Sequence, residues 1–182
     1  MLRAAILLAD GFETVEALTP YDVFKRTHEI DPKLVSTRPG YRVTSSQGVR
    51  VEADVPLELL FPNEIDFIVL PGGKKGVDNL LHSEAVLSYL QKAHSLGKNI
   101  HAICAAPSIL LHLGLLNGKK YTCFPGFENP GPNYTGDEVT VDQGTVTGRS
   151  MGFSLPFAEA IVTLHCGKET MLKTRPGTRG LK

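Results

Sequence analysis

Apolar residues in this chain follow two rhythms, short unbroken runs and stretches in which they recur every three or four positions. Runs from Arg3 to Ala9, at Leu34-Val35, from Asp66 to Leu70 and up to Cys104 predict buried strands of a parallel sheet. Three of these runs stop at sharp turns: Asp10-Gly11, Pro71-Gly72-Gly73 and Ala105-Ala106-Pro107. Helical spacing follows the first run at Val15, Leu18, Tyr21 and Phe24, with Pro20 predicting a kink or split. A second helix is capped by Ser83, runs through Val86, Leu87, Leu90 and Ala93, and stops at Gly97. A third opens at Pro107 and ends at Gly114; the last runs from about Ser154 to His165, apolar at Phe157, Ala160, Ile161 and Leu164, and stops at Gly167. Leu57 to Leu60 predicts a short helix, Arg42 to Ala53 a hairpin around Ser45-Ser46-Gln47-Gly48, and Glu138 to Gly148 two strands across Asp142-Gln143-Gly144. Lys120 to Cys123 predicts a further strand leading into a Gly-, Pro- and Asn-rich loop up to Gly136.

Strands and helices therefore alternate across short connections, which predicts an α/β architecture, a mostly parallel sheet with helices on both faces. In such sheets working groups gather at the carboxyl ends of strands. Three features fall there: the helix start holding Glu13 and Glu16, the glycines of Pro71-Gly72-Gly73, and Cys104.

Length and charge narrow the picture. A chain of 182 residues, 42% hydrophobic, suits one domain, expected over 1–167, followed by a modestly basic, solvated tail at 168–182. Nineteen basic residues balance nineteen acidic ones, so no nucleic-acid or membrane-surface footprint is expected. The uncharged run between Lys98 and Lys119 is broken by His101, Pro107, His112 and Gly114, which fits a buried strand and helix better than a membrane span. Cys104, Cys123 and Cys166 show no paired spacing, and the N-terminus has no basic start or small-residue cleavage site, so the cytoplasm is the expected compartment. The six histidines lack ligand spacing with the cysteines, so no metal site is expected.

Cys104 carries the candidate chemistry. A thiol at the apex of a strand, sharp turn and helix has the arrangement of a nucleophile elbow, and the helix N-terminus is expected to lower its pKa. The same stretch also fits a buried, inert core cysteine.

Taken together, Asp10-Gly11-Phe12-Glu13-Thr14-Val15-Glu16, Pro20 and Asp22, Val69-Leu70-Pro71-Gly72-Gly73, Ala102-Ile103-Cys104-Ala105-Ala106-Pro107 and Thr147-Gly148-Arg149 resemble the DJ-one/ThiJ/PfpI superfamily, nearest its deglycase branch. The resemblance implies a flavodoxin-like fold and a homodimer, with Cys104 as nucleophile, Glu16 as its carboxyl partner, and the backbone N–H groups of Gly73 and Ala105, beside Gly72, as an oxyanion and substrate site. It implies no cofactor. Ala105 stands where the family's peptidases carry His, which argues against peptidase activity, and Phe124 stands where human-type deglycases carry His. The activity implied is conversion of methylglyoxal or glyoxal, or their early adducts, to a 2-hydroxy acid. A redox sensor or holdase working through oxidation of Cys104 to a sulfinate is the alternative, and a scaffold with an ordinary thiol a third.

Overall fold

The structure, a computed structural model, describes residues 1–180. In chain order the elements are β1 (Leu2–Leu8), α1 (Thr14–Thr27), β2 (Ile30–Ser36), β3 (Arg42–Thr44), β4 (Arg50–Glu52), β5 (Val55–Pro56), β6 (Phe67–Leu70), α2 (Lys74–Leu81), α3 (Glu84–Ser95), β7 (Asn99–Ile103), α4 (Pro107–His112), β8 (Val139–Asp142), β9 (Thr145–Gly148) and α5 (Ser154–Arg179). Seven strands form one sheet in the order β5-β2-β1-β6-β7-β9-β8. All neighbours pair in parallel except the edge strand β8, which runs against β9. β3 and β4 form a separate hairpin. This is the flavodoxin-like arrangement, with α1 and α5 on one face and α2, α3 and α4 on the other.

Strand pleating explains why unbroken apolar runs were needed. Ala4, Ile6 and Leu8 of β1 and Phe67 and Val69 of β6 pack with Phe24 of α1 and Phe157 and Ile161 of α5. Their neighbours Ala5, Leu7, Ile68 and Leu70 pack with Val77, Leu80, Leu90 and Ile109 on the opposite face. Each fully buried large apolar side chain contributes about 1.5–3 kcal/mol, so a strand polar on either face would forfeit one of two cores. His101 of β7 is a buried polar residue in this sheet. Its Nδ1 accepts the Val146 N–H at 3.0 Å and its Nε2 meets His165 Nε2 at 2.9 Å, while the His165 ring stacks on Phe67. Burial, then His165 and Lys119, push the His101 pKa down and keep the ring neutral.

Several expectations change. The sequence predicts a kink at Pro20, but α1 runs unbroken through it, since proline removes only the bond to the Glu16 carbonyl. A helix absent from the sequence reading, α2, follows Gly73 directly. Lys120 to Cys123 is no strand; it keeps one isolated bridge, Tyr121 to Tyr134. Its backbone donors go elsewhere: Lys120 N–H to Asp142 Oδ2, Tyr121 N–H to the Asn133 carbonyl, and Thr122 N–H to Thr147 Oγ1.

The largest change is at the C-terminus. Gly167 (φ 87°) interrupts α5 as expected, but the chain resumes as helix to Arg179 instead of forming a solvated tail. Residues 181–182 lie outside the described residues. Met171, Thr170 and Thr174 are buried, Thr170 Oγ1 donates to Glu29 Oε1 at 2.8 Å, and Arg175 and Arg179 both bind the buried Glu159 carboxylate, at 3.1 and 2.7 Å. The basic residues that made this stretch look solvated are the partners of an acidic group two turns or more before the break.

Burial opposes the Glu159 charge, but hydrogen bonds from Arg179 and the charges of Arg175 and Arg179 hold its carboxyl below the usual value of 4.5. Its contribution is therefore present above about pH 4.5 and lost as pH falls through the lowered value of the folded state. Glu159→Gln should lower the unfolding free energy by about 1–3 kcal/mol at neutral pH, read from urea denaturation, with the difference shrinking on acidification.

Candidate active site

The carboxyl ends of β1, β6, β7 and β9 bring the candidate residues to one place. β7 ends at Ile103, and Cys104 turns the chain with a left-handed backbone (φ 63°), unusual for a residue with a side chain. Three backbone bonds fix that turn: Cys104 N–H donates to the Gly148 carbonyl at 2.9 Å, Ala106 N–H to Ile103 at 3.1 Å, and Phe124 N–H to the Cys104 carbonyl at 2.8 Å. Pro107 then opens α4 at its first position, where no N–H is required. The expected elbow is present, and the strain at Cys104 is carried by its neighbours.

Glu16 lies in the first turn of α1 and is fully buried. Its Oε2 accepts the Gly72 N–H at 2.8 Å. Oε1 is buried without a hydrogen-bond partner, and the Cys104 thiol stands close enough to this carboxyl for each to shift the other's titration. Gly72 is where the two side chains meet. A Cβ there would lie 2.6 Å from Glu16 Oε2 and 2.7 Å from Cys104 Cβ, so only glycine leaves room for the pair. Its N–H is bound to Glu16, so among the expected site residues Gly72 serves the carboxyl. Gly73 (φ 88°) is packed against the Gly11 carbonyl, and its N–H and that of Ala105 point at the Cys104 sulfur.

Electrostatics revise the expectation of an acidic thiol. Burial pushes the Cys104 pKa up to about 12, the Glu16 charge and hydrogen bond add to the rise, and the N–H groups of Ala105 and Gly73 oppose it. Burial also pushes Glu16 up to about 7, against the pull of Gly72 and Cys104. The dipole of the six-residue α4 does not overcome this. Burial is thus the main reason the thiol stays protonated, and a proton on Glu16 removes only the part that its charge and hydrogen bond add.

A cleft of about 460 Å³ opens above the sulfur, lined by Glu13, Glu16, Gly73, Lys74, Cys104 and Ala105, and by Phe124, Phe127, Ser150, Met151 and Gly152. Phe127 and the Ser150-Met151-Gly152 turn are absent from the sequence reading, although the turn follows the carboxyl end of β9, where the strand-end rule points. No cluster of metal-ligating side chains occurs among the described residues. Cys104, Cys123 and Cys166 are all free.

The DJ-1/PfpI family model matches residues 2–164. The chain belongs to the DJ-1/PfpI family. It is 36% identical over 156 residues to a protein named as a deglycase from Pyrococcus abyssi, covering 83% of this chain and 92% of that protein. Protein DJ-1 homolog B of Arabidopsis thaliana is also 36% identical, over 174 residues and 94% of this chain, but the chain spans only 40% of that protein's length. Among solved structures, oxidized Toxoplasma gondii DJ-1 matches with a TM-score of 0.92 at 28% identity, covering 98% of both chains.

The Glu16 value near 7 has a thermodynamic consequence. Between about pH 4.5 and 7 the unfolded chain has lost this proton and the folded chain retains it, so stability falls as pH rises through that window and levels off above it. At about 1.4 kcal/mol per unit, this one group should lower stability by about 3 kcal/mol. Urea denaturation across the window should show that fall in the wild-type chain, and Glu16→Gln should flatten it.

Proposed function

We propose that this member of the family is a cofactor-independent glyoxalase or deglycase, with Cys104 as nucleophile and Glu16 as the proton carrier. The observation that supports this reading is the buried carboxyl coupled to the thiol across Gly72, beneath two backbone N–H groups aimed at the sulfur. One proton lies between the two groups. When Glu16 holds it, the bare Oε1 gains a proton to donate, and the thiolate keeps the N–H groups of Gly73 and Ala105 as donors, so the reactive form satisfies both sides.

The chemistry follows from that proton. The Cys104 sulfur forms a bond to the aldehyde carbon of methylglyoxal, the carbonyl electron pair moves to oxygen, and the Gly73 and Ala105 N–H groups hold the oxyanion until Glu16 protonates it. The Glu16 carboxylate then removes the hydrogen of the former aldehyde carbon as a proton, and the resulting enediol is reprotonated on the adjacent carbon. One carbon is oxidised and its neighbour reduced, leaving a 2-hydroxyacyl thioester. Water attacks that carbonyl, the C–S bond breaks, and lactate and the thiol are released. The sequence balances without an external oxidant, reductant or metal. A hemiaminal or hemithioacetal adduct first returns its amine or thiol and the free aldehyde, which enters the same path.

A second reading, oxidation of Cys104 to a sulfinate in a redox sensor or holdase, is favoured by the thiol's partial exposure beside the same two N–H donors. Turnover separates the two. Purified chain given methylglyoxal should form lactate stoichiometrically, with Cys104→Ser abolishing it and Glu16→Gln lowering kcat by about 100-fold or more. No lactate from the wild-type chain, or undiminished lactate from Cys104→Ser, would overturn the proposal.

A further inference from the structure

The cleft is much larger and more apolar than a three-carbon dicarbonyl needs. Its volume of about 460 Å³ lies in the range of about 300–1,000 Å³ that accommodates far larger ligands. Its floor is polar, formed by Glu16, Cys104 and the two N–H groups, and its walls are Phe124, Phe127 and Met151. Phe124 and Met151 are 44% and 49% exposed, so both leave apolar surface uncovered at the mouth of a concave site.

These walls are fixed relative to the sulfur. Phe124 donates its N–H to the carbonyl of Cys104 itself, at 2.8 Å, so the aromatic wall is tied to the nucleophile's own backbone. Phe127 N–H closes a turn onto the Phe124 carbonyl at 3.1 Å, setting the two rings 6.4 Å apart at 72°. The turn carrying Met151 is held by Ser154 Oγ donating to the Met151 carbonyl at 2.8 Å and by Phe153 N–H donating to Ser150 at 2.9 Å. Two aromatic rings meeting edge to face and a thioether thus line the same cleft, surfaces suited to a flat apolar group.

We infer that this site takes oxoaldehydes bearing an aryl substituent, of which phenylglyoxal is the simplest, in preference to methylglyoxal. The inference rests on the oxoaldehyde chemistry proposed above and names the substituent. The dicarbonyl occupies the polar floor, with its aldehyde carbon at the Cys104 sulfur, and the aryl ring lies between Phe124 and Met151. Phe124, where a histidine would offer a proton and little apolar surface, serves as a specificity residue and does no proton transfer.

The test compares kcat/KM for phenylglyoxal and methylglyoxal, following mandelate and lactate respectively. The wild-type ratio should exceed tenfold, fall at least fivefold in Phe124→Ala chiefly through KM for phenylglyoxal, and be largely kept in Phe124→Leu, which retains apolar contact. A ratio near one with both substrates turned over would overturn this inference and leave the oxoaldehyde chemistry standing. Binding of mandelate and lactate to Cys104→Ser, measured by calorimetry, decides the point without turnover. Tenfold tighter mandelate binding supports the aryl slot even if neither aldehyde reacts, in which case the proposed chemistry is what fails. Equal binding overturns the slot.

Discussion

One buried contact organises this end of the molecule: a carboxyl from α1 and a thiol from the end of β7 meet beside Gly72, a residue with no side chain. Everything nearby is arranged so that the contact survives. The α1 helix must bury Glu16, β6 must end in Pro71-Gly72-Gly73 so that its backbone passes between the two groups, and Cys104 must hold a left-handed backbone. Each demand costs stability. A carboxyl buried with one N–H donor disfavours the charged form, and a cysteine at φ 63° is strained. The two packed cores on either face of the sheet supply the stability that offsets these costs.

Much of this was legible in the sequence because the constraints are local. The strand ends, the elbow at Cys104 and the acid at Glu16 follow from apolar runs interrupted by Gly, Pro and small residues. The alternation of strand and helix then forces those ends to the same edge of a parallel sheet. What stayed hidden depends on partners distant in sequence. The sign of the thiol's shift could not be read from a helix N-terminus alone, since the burial and the Glu16 charge that dominate it come from the tertiary fold. That the Gly72 N–H serves Glu16 Oε2 likewise depends on α1 packing against the end of β6. The C-terminal helix was missed because its basic residues read as solvated, whereas Arg175 and Arg179 neutralise the buried Glu159. Helix α2 was missed because its few apolar positions, Val77 and Leu80 among them, fall directly after a strand-ending turn that draws attention to itself.

The surroundings of the cysteine and the lining of the cleft above it set what chemistry this site can do. Ala105 supplies an N–H and no side-chain base, and Phe124 adds an apolar wall without a titratable group. Glu16, whose pKa is pushed up to about 7, is the group beside the thiol that can give and take a proton near neutral pH, which is the role proposed for it.

Thiolate absorbance in the ultraviolet against pH, with Cys104→Ser as blank and Glu16→Gln alongside, tests the coupling of the two groups most directly. The account predicts a Cys104 thiolate step well above the ordinary thiol range in the wild-type chain, moved down by a unit or more in Glu16→Gln, which removes the charge that adds to the rise. A step that Glu16→Gln leaves unmoved would mean that the carboxyl does not govern the thiol and would contradict the account.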